Sequence, residues 1–141
     1  MWHNNFQKRL QSWTELRTQC QPMSLDNCLK EIDNWWLNAP WCPYSLHIDD
    51  YQTWPNPWEL LNENHYCDLA KALGIVYTLM LMNRSDINDI KIADTDSGNL
   101  VLIDDGKYIL NWGTGQLLNI SSTKITIKKT LSGSKVVHLL G

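Results

Sequence analysis

The segment from about residue 58 to residue 82 constrains the fold more than any other, because it predicts a helix that is apolar on nearly every side. After Cys67 the apolar positions are Leu69, Ala70, Ala72, Leu73, Ile75, Val76, Leu79, Met80 and Leu81. Such a helix is buried, so other elements must cover it on both sides. Its longest apolar run, residues 72–82, is about half the roughly 20 residues that span a bilayer. We therefore expect a central core helix and no membrane span.

The first 58 residues predict two helices followed by a long ordered loop. Apolar residues recur at helical spacing within residues 3–20, and again after Ser24, a predicted N-cap residue. Residues 38–57 contain four prolines and have no periodicity, which indicates a loop. Proline at the first turn suits a start of the central helix at Pro57 or Trp58. A break in that helix at residues 62–64 is possible, and would create a new N-terminus just before His65.

From Ile87 onward the sequence predicts strands. Short β-branched or apolar runs are separated by the turn sequences "DTDSGN", "DDGK", "GTG" and "SGSK", and "DDGK" is the strongest hairpin signal. The predicted strands cover residues 90–93, 100–103, 108–112, 117–120, 125–131 and 136–140. Helices followed by antiparallel strands predict an α+β fold. We expect one domain over residues 1–141: a Trp-rich half (1–58), the central helix (58–82) and an antiparallel β-meander (87–140).

Charge and cysteine usage exclude some classes of function. The formal net charge is −3 and the pI is near 5.7, whereas nucleic-acid binding calls for a basic face. The N-terminal residues lack the apolar core of a secretory signal, so we expect synthesis in a host cytoplasm. The cysteines are Cys20, Cys28, Cys42 and Cys67, and in a reducing compartment they are most simply free thiols.

Tryptophan is unusually frequent in this chain. Eight residues are Trp against a single Phe, and seven of the eight lie within the first 58 residues. Trp supplies large buried area and is also enriched at the anchors of protein interfaces. We expect roughly half of the indoles in the core and two or three at an interface. The interface residues predicted from the long loop, its flanks and a terminal edge strand are Trp35, Trp41, Tyr44, Tyr51, Trp54, Val136 and Val137.

Cys67 is the candidate for covalent chemistry, because a cysteine at a helix N-terminus has its thiolate favoured by the helix dipole. A cysteine nucleophile needs a base, usually His, and a group that orients the base. His65 and Asp68 flank Cys67, but neighbours one or two apart on a helix point to different faces. On that argument they make poor partners, and a buried core thiol is the alternative interpretation.

"HYCDLAKALGIVYTL" followed by "NLVLIDDGKYILNW" resembles the transglutaminase-like members of the papain superfamily over residues 66–112. In that family the nucleophile opens a helix, His begins the next strand and Asp ends the one after. The resemblance assigns the nucleophile to Cys67, but Asn99 or Leu100 stands at the His position and Asn111 at the Asp position. His138 does not match the pattern. The resemblance therefore implies an inactive descendant of the family.

Metal and cofactor sites are not predicted. The set Cys20, Cys28, Cys42 and His47 has gaps of 8, 14 and 5 residues, without the tight pairs of ligands that structural zinc sites use. The segment from Asp94 to Gly98 resembles the start of a calcium loop but lacks the completing Glu, so a hairpin turn explains it. Glycine-rich phosphate loops are also missing from the sequence. We predict no metal and no cofactor.

Residues 35–82 as a whole look like small proteins encoded among the structural genes of tailed bacteriophages. That resemblance implies a non-enzymatic component of a tail, baseplate or neck, located in the virion and bound to other phage structural proteins. Two alternatives remain open. One is a cysteine hydrolase or transferase in which folding brings His138 or His47 to Cys67. The other is a small regulatory binder of a host protein.

Overall fold

The computed structural model describes residues 2–43, 45–113, 119 and 123–140, and its α+β architecture confirms the predicted fold class. The α-helices are α1 (Phe6–Cys20), α2 (Leu25–Leu37), α3 (Pro57–Glu63) and α4 (Asp68–Met82). The strands are β1 (Lys91–Thr95), β2 (Gly98–Ile103), β3 (Tyr108–Leu110) and β4 (Ile127–Ser132). Two 3-10 helices cover Ile48–Thr53 and Gly133–Leu140. None of the helices in the described ranges is long and apolar enough to cross a bilayer.

Helix α4 is the buried centre of the molecule, as the sequence predicts. Leu73, Ile75 and Val76 are fully buried on it. Helix α2 packs on one side of α4 and strand β2 on another, so both helices and sheet cover its apolar surface. At Gly74 the helix meets the indole of Trp36 so closely that an added Cβ would lie 2.5 Å from the ring.

The predicted helix over residues 58–82 is in fact two helices, with a break slightly later than the one considered from the sequence. Asn64 has φ of 60°, the left-handed conformation that ends many helices, and it closes α3. Cys67 is extended, with φ of −78° and ψ of 175°, and is the N-cap of α4. Helix α3 begins at Pro57 with a capping box between Asn56 and Glu59. The break is what places the cysteine at a helix start.

Hydrogen bonds from two buried indoles fix α1 and α2 on α4. Trp13 of α1 and Trp36 of α2 both donate from Nε1 to the hydroxyl oxygen of Thr78, at 2.8 and 3.1 Å. The Thr78 hydroxyl in turn donates to the Gly74 carbonyl at 2.7 Å. A hydroxyl oxygen has one proton to give and two lone pairs to accept with, so all three bonds are satisfied together. Ser24 caps α2, as predicted.

The four strands form an antiparallel sheet in the order β3-β2-β1-β4. The "DDGK" hairpin joins β2 to β3 as predicted, with Asp104, Asp105 and Gly106 all at positive φ. Strand β4 does not follow β3 in space but returns to pair with β1 at the other edge. The predicted strand over residues 117–120 lies outside the described residues, apart from Asn119.

The predicted terminal strand at residues 136–140 is wrong, because this segment is a 3-10 helix. The Gly133 N–H donates to the Ile90 carbonyl at 2.8 Å, and the chain then turns onto α4. Val136, Leu139 and Leu140 are spaced three and four apart, which places them on one side of a helix facing the core. The expected terminal edge strand is therefore not formed.

The aromatic-rich front half is mainly core. Trp13, Trp36 and Trp54 are buried, while Trp41 and Trp58 are exposed. Among the predicted interface residues, Trp54 and Val136 are buried within the chain itself, since Trp54 donates to the His47 carbonyl and Val136 packs in the core. Trp35 and Tyr51 are half-buried, Trp41 and Val137 are exposed, and Tyr44 lies outside the described residues.

Replacing Gly74 by alanine should destabilise the protein. In an ordinary helix this change stabilises by roughly 0.5–1 kcal/mol. Here the added methyl group would overlap the buried Trp36 ring, so we expect a net loss of about 1–3 kcal/mol. Chemical denaturation measures it. In a Trp36→Leu background the same change should cost less, and equal costs in both backgrounds would contradict this account of the contact.

Candidate active site

Cys67 lies at the junction of an extended segment and the first turn of α4. The segment before it pairs with the long loop: the Cys42 N–H donates to the Tyr66 carbonyl at 3.0 Å, and the Tyr66 N–H donates to the Pro40 carbonyl at 2.8 Å. These two bonds form a parallel bridge between Trp41 and Tyr66. The pairing holds residue 67 in the extended conformation that a helix N-cap requires.

Several hydrogen-bond donors converge on the Cys67 sulfur. The Ser45 hydroxyl donates to Sγ at 3.3 Å, and the N–H groups of Ser45, Leu46 and Ala70 lie near enough to stabilise its thiolate. Ala70 belongs to the first turn of α4, whereas Ser45 and Leu46 come from the long loop. Together Ser45 and Leu46 form a strap over the thiol, and Cys67 is only 4% exposed. The sulfur therefore lies in a closed ring of donors.

The pKa of the Cys67 thiol is lowered from its ordinary value. Burial is the largest single influence and raises the pKa, because a buried thiolate loses solvation. The Ser45 hydroxyl and the three N–H groups act against burial, and in sum they outweigh it. Donors of this kind stabilise the thiolate, which is the nucleophilic form of cysteine. The donors around the sulfur thus favour the thiolate form of Cys67.

His47 lies on the sheet side of the strap. It lines a pocket of about 180 Å³ together with Leu46, Leu69, Asp94 and Asn99. Its Nδ1 atom accepts the Asp49 N–H at 3.2 Å and lies 3.8 Å from the Asp49 carboxylate. The imidazole is therefore held beside the Asp49 backbone and carboxylate.

His65 is the residue that sequence reasoning set aside for the wrong reason. Residues 65–67 are not helical, and side chains two apart in an extended segment point to the same side. His65 lines a small pocket of about 70 Å³ with Ser45, Leu46 and Ala70, the residues that bond to the thiol. Its Nε2 lies 4.0 Å from the Glu63 carboxylate. The helix-breaking "NENHY" sequence was the signal available for this arrangement.

The third candidate, His138, is exposed on the C-terminal 3-10 helix. Among the described residues, none of the bonds to Cys67 and none of the residues lining the His47 pocket involves His138. The structure therefore brings His47 and His65 close to the residues around Cys67, and among the described residues it shows no such contact for His138.

Asn99 and Asn111 hold the site together from the sheet. The Asn111 side chain donates to the carbonyls of Asp68 and Asn99, at 2.9 and 2.8 Å. Its own N–H donates to the Asp33 carboxylate at 2.8 Å. Asn111 has φ of 68°, a conformation that Asn adopts more readily than most residues. Asn99 and Asn111 thus join the ends of β2 and β3 to α2 and the start of α4.

Groups that could hold a metal are dispersed. Cys20 and Cys28 are buried between α1 and α2, where their thiols interact with each other and with Arg84, while Cys42 and His47 lie in the long loop. Asp96 accepts the Thr126 N–H at 2.9 Å and belongs to the region that joins β1 to β2 and β4. Across residues 2–43, 45–113, 119 and 123–140, no three His, Cys, Asp or Glu side chains form a group that could hold a metal ion.

Comparisons with known proteins give a consistent fold. No family model and no curated protein sequence matches the chain. Among solved structures it is similar to calcium-bound LapG from Legionella pneumophila, with 14% identity and a TM-score of 0.76 over 92% of this chain and 77% of LapG. A second structure of Legionella pneumophila LapG gives 14% identity and a TM-score of 0.75, over 92% and 76%. The chain has the fold of LapG.

LapG is a transglutaminase-like cysteine protease, so the resemblance predicted for residues 66–112 is confirmed at the level of fold. The expectation of a non-enzymatic phage component is wrong, because the matched fold is that of an enzyme and the findings give no support to a phage origin. The expected phage partners and virion location were not tested and stay predictions.

Replacing Ser45 by alanine should raise the pKa of the Cys67 thiol, because one of its donors is removed. Alkylation by low iodoacetamide across a range of pH, with mass-spectrometric readout for each cysteine, measures the change. We expect the midpoint of the Cys67 alkylation profile to move upward. Cys42, which is half-buried and outside the ring of donors, is the internal control. An unchanged Cys67 midpoint would show that the hydroxyl does not act on the thiol.

Replacing Asp33 by asparagine should stabilise the protein at neutral pH. Burial raises the Asp33 pKa, against the opposing effect of the Asn111 N–H. The folded protein therefore binds this proton more tightly than the unfolded chain, and stability falls as pH rises from the unfolded pKa through the folded one. Asparagine keeps an oxygen that accepts the Asn111 N–H and removes the buried charge. The gain in stability over the parent should therefore grow as the pH rises across that interval.

Thermal unfolding of Asp33→Asn and of the parent at several pH values measures this difference. Asp33→Ala is the matched control, since it leaves the Asn111 N–H without its acceptor and should cost about 1–3 kcal/mol. A gain that is the same at every pH would contradict the assignment of the effect to the Asp33 charge.

Proposed function

We propose that this protein is a cysteine hydrolase or acyltransferase in which Cys67 is the nucleophile. The observation that carries the proposal is the ring of donors around the Cys67 sulfur, which lowers the pKa of the thiol at the N-cap of α4. Its fold, similar to that of LapG, supports the same interpretation. The substrates are acyl compounds such as peptides or esters, because attack by a thiolate on a carbonyl carbon is the reaction this group performs best.

In the proposed reaction the Cys67 thiolate attacks the carbonyl carbon, and a carbon–sulfur bond forms as the bond to the leaving group breaks. The leaving group takes a proton from the protonated His47 ring. Water, or an amine in a transfer reaction, then attacks the thioester and returns its proton to His47, which releases the thiolate. Each cycle thus consumes one substrate and one water or amine molecule, and it regenerates the Cys67 thiolate and the protonated His47.

The assignment of His47 rests on where the pocket lies. His47 shares its pocket with Asn99. In the transglutaminase-like family the catalytic imidazole comes from the strand, whereas here an imidazole reaches this pocket from the loop. The neighbouring Asp49 carboxylate lies 3.8 Å from Nδ1, the position of an acid that orients the ring. This arrangement differs from the inactive descendant that the sequence implies, since the missing strand histidine is replaced by one from another segment.

Ser45 and Leu46 have to move before a substrate can reach the thiol. Cys67 is nearly fully buried, and an acyl carbon must come within about 3–3.5 Å of the sulfur to react. The strap is tied down near its end by Trp54, which donates to the His47 carbonyl at 2.9 Å, and by the ion pair of Asp49 with Lys129. We therefore expect opening of the strap to limit the rate of acylation.

The roles of Cys67 and His47 are tested with two substrates that differ in their leaving group. p-Nitrophenyl acetate releases a stable anion that needs no proton, whereas an alkyl ester of the same acid does need one. We expect acetylation of Cys67 by the first substrate, detected by mass spectrometry, and none in Cys67→Ala. His47→Ala should slow the alkyl ester by about 10²–10⁴-fold and the activated ester far less.

His65→Ala and His138→Ala are the matched controls, and both should retain the His47-dependent rate on the alkyl ester. Circular dichroism of each variant confirms that the fold is kept. A parent protein that never acetylates Cys67 would overturn the proposal. Loss of alkyl-ester cleavage in His65→Ala, but not in His47→Ala, would transfer the proton role to His65 and its partner Glu63.

A further inference from the structure

Trp41 is a large apolar side chain held at the surface beside the nucleophile. Its side chain is 61% exposed, the most exposed of the large hydrophobic residues in the described structure. Its indole Nε1 donates to the Asp68 carboxylate at 3.3 Å, and its backbone pairs with Tyr66. Asp68 and Tyr66 are the two neighbours of Cys67 in sequence. The ring is therefore fixed from two directions next to the reacting group.

A continuous row of contacts joins Trp41 to the pocket of His47. One oxygen of the Asp68 carboxylate accepts from Trp41, and the other lies 3.0 Å from the place where a Cβ of Gly98 would be. Gly98 precedes Asn99, whose side chain donates to the Asp94 carboxylate at 3.4 Å. Asn99 and Asp94 both line the pocket. Trp41, Asp68 and Asp94 thus form one rim, which we call the aromatic-acidic rim.

The charges around this rim are negative toward solvent. Within the described residues neither Asp68 nor Asp94 belongs to a salt bridge. The Lys71 ammonium is turned inward, where it donates to the Leu37 carbonyl, and the residue is only 7% exposed. Lys129, which lies opposite Asp94 in the pairing of β1 with β4, forms an ion pair with Asp49. The rim itself therefore consists of an exposed indole, the exposed Asp68 carboxylate and the half-buried Asp94 carboxylate.

We propose that the aromatic-acidic rim selects substrates with a cationic side chain next to the acyl group that Cys67 attacks, and that Trp41 is the residue that determines this specificity. An indole face is the best of the aromatic surfaces for a guanidinium or ammonium group. The hydrogen bond from its Nε1 to the Asp68 carboxylate holds a negative charge beside the ring. Asp94 adds to the attraction of the rim for a cation. The inference rests on the proposed function of Cys67.

Peptidyl acyloxymethyl ketones test the inference, because these probes alkylate an active thiol and lose only a carboxylate. Three probes differ at the residue next to the electrophile, which is arginine, its neutral near-isostere citrulline, or glutamate. The rate of Cys67 labelling is measured by mass spectrometry and divided by the rate with iodoacetamide. We expect arginine to label about five- to tenfold faster than citrulline, with glutamate slowest. Added salt should reduce the ratio.

Variants assign the preference to its residues. Trp41→Leu should bring the ratio of arginine to citrulline close to one, and Asp94→Asn should lower it independently, which keeps the test valid if the first variant does not fold. Lys107, an exposed cation of the "DDGK" hairpin, provides the control: Lys107→Gln should leave the ratio of arginine to citrulline labelling unchanged.

Two negative outcomes are distinguishable. Equal labelling of Cys67 by all three probes, or faster labelling by citrulline, overturns the specificity inference and leaves Cys67 as the nucleophile. Failure of every probe to label Cys67, while iodoacetamide labels it only after unfolding, overturns the proposed function and this inference with it.

Discussion

The arrangement of the helices depends on the hydrogen bonds that meet at the hydroxyl of Thr78. It accepts hydrogen bonds from the indoles of Trp13 and Trp36, and so joins α1 and α2 to the central helix at one point. All three residues are fully buried, so an unmade bond there would leave a polar group without a partner at a cost of about 1–3 kcal/mol. The same contact presses the Trp36 ring onto Gly74, where only a glycine fits. The orientation of α4, and therefore of Cys67 at its start, follows from this point.

The lowered pKa of the Cys67 thiol follows from two features that a continuous helix could not provide. The break at residues 64–67 makes Cys67 an N-cap, so the free N–H groups of the first turn lie near its sulfur. The long loop then supplies Ser45 and Leu46 from above, because residues 40–42 are paired with Tyr66. A loop that looks irregular in sequence is in this way positioned by backbone bonds to the residue before the nucleophile.

Periodicity was sufficient to predict the α+β class, the buried helix and the "DDGK" hairpin, because each depends on local pattern. It failed where distant contacts decide the outcome. The apolar residues after Gly133 suit a strand or a helix equally well, and the choice is made by packing on α4. Trp54 is buried where its indole donates to the His47 carbonyl of the loop. Trp41 is held at the surface because its indole donates to the Asp68 carboxylate. Excluding His65 from the sequence assumes a helix over residues 65–67, although Asn64 indicates that the preceding helix ends there.

In the proposed mechanism the thiolate is held without a histidine from the neighbouring strands. Asn99 stands at the start of β2, and Asn111 binds two backbone carbonyls. Neutral donors, a hydroxyl and three N–H groups, then carry the stabilisation of the charge. Such donors do not titrate near neutral pH, so in the proposed mechanism the stabilisation of the thiolate does not depend on the protonation of a neighbouring ring. The proposed imidazole is then needed only for proton transfer, which a histidine of the loop can perform.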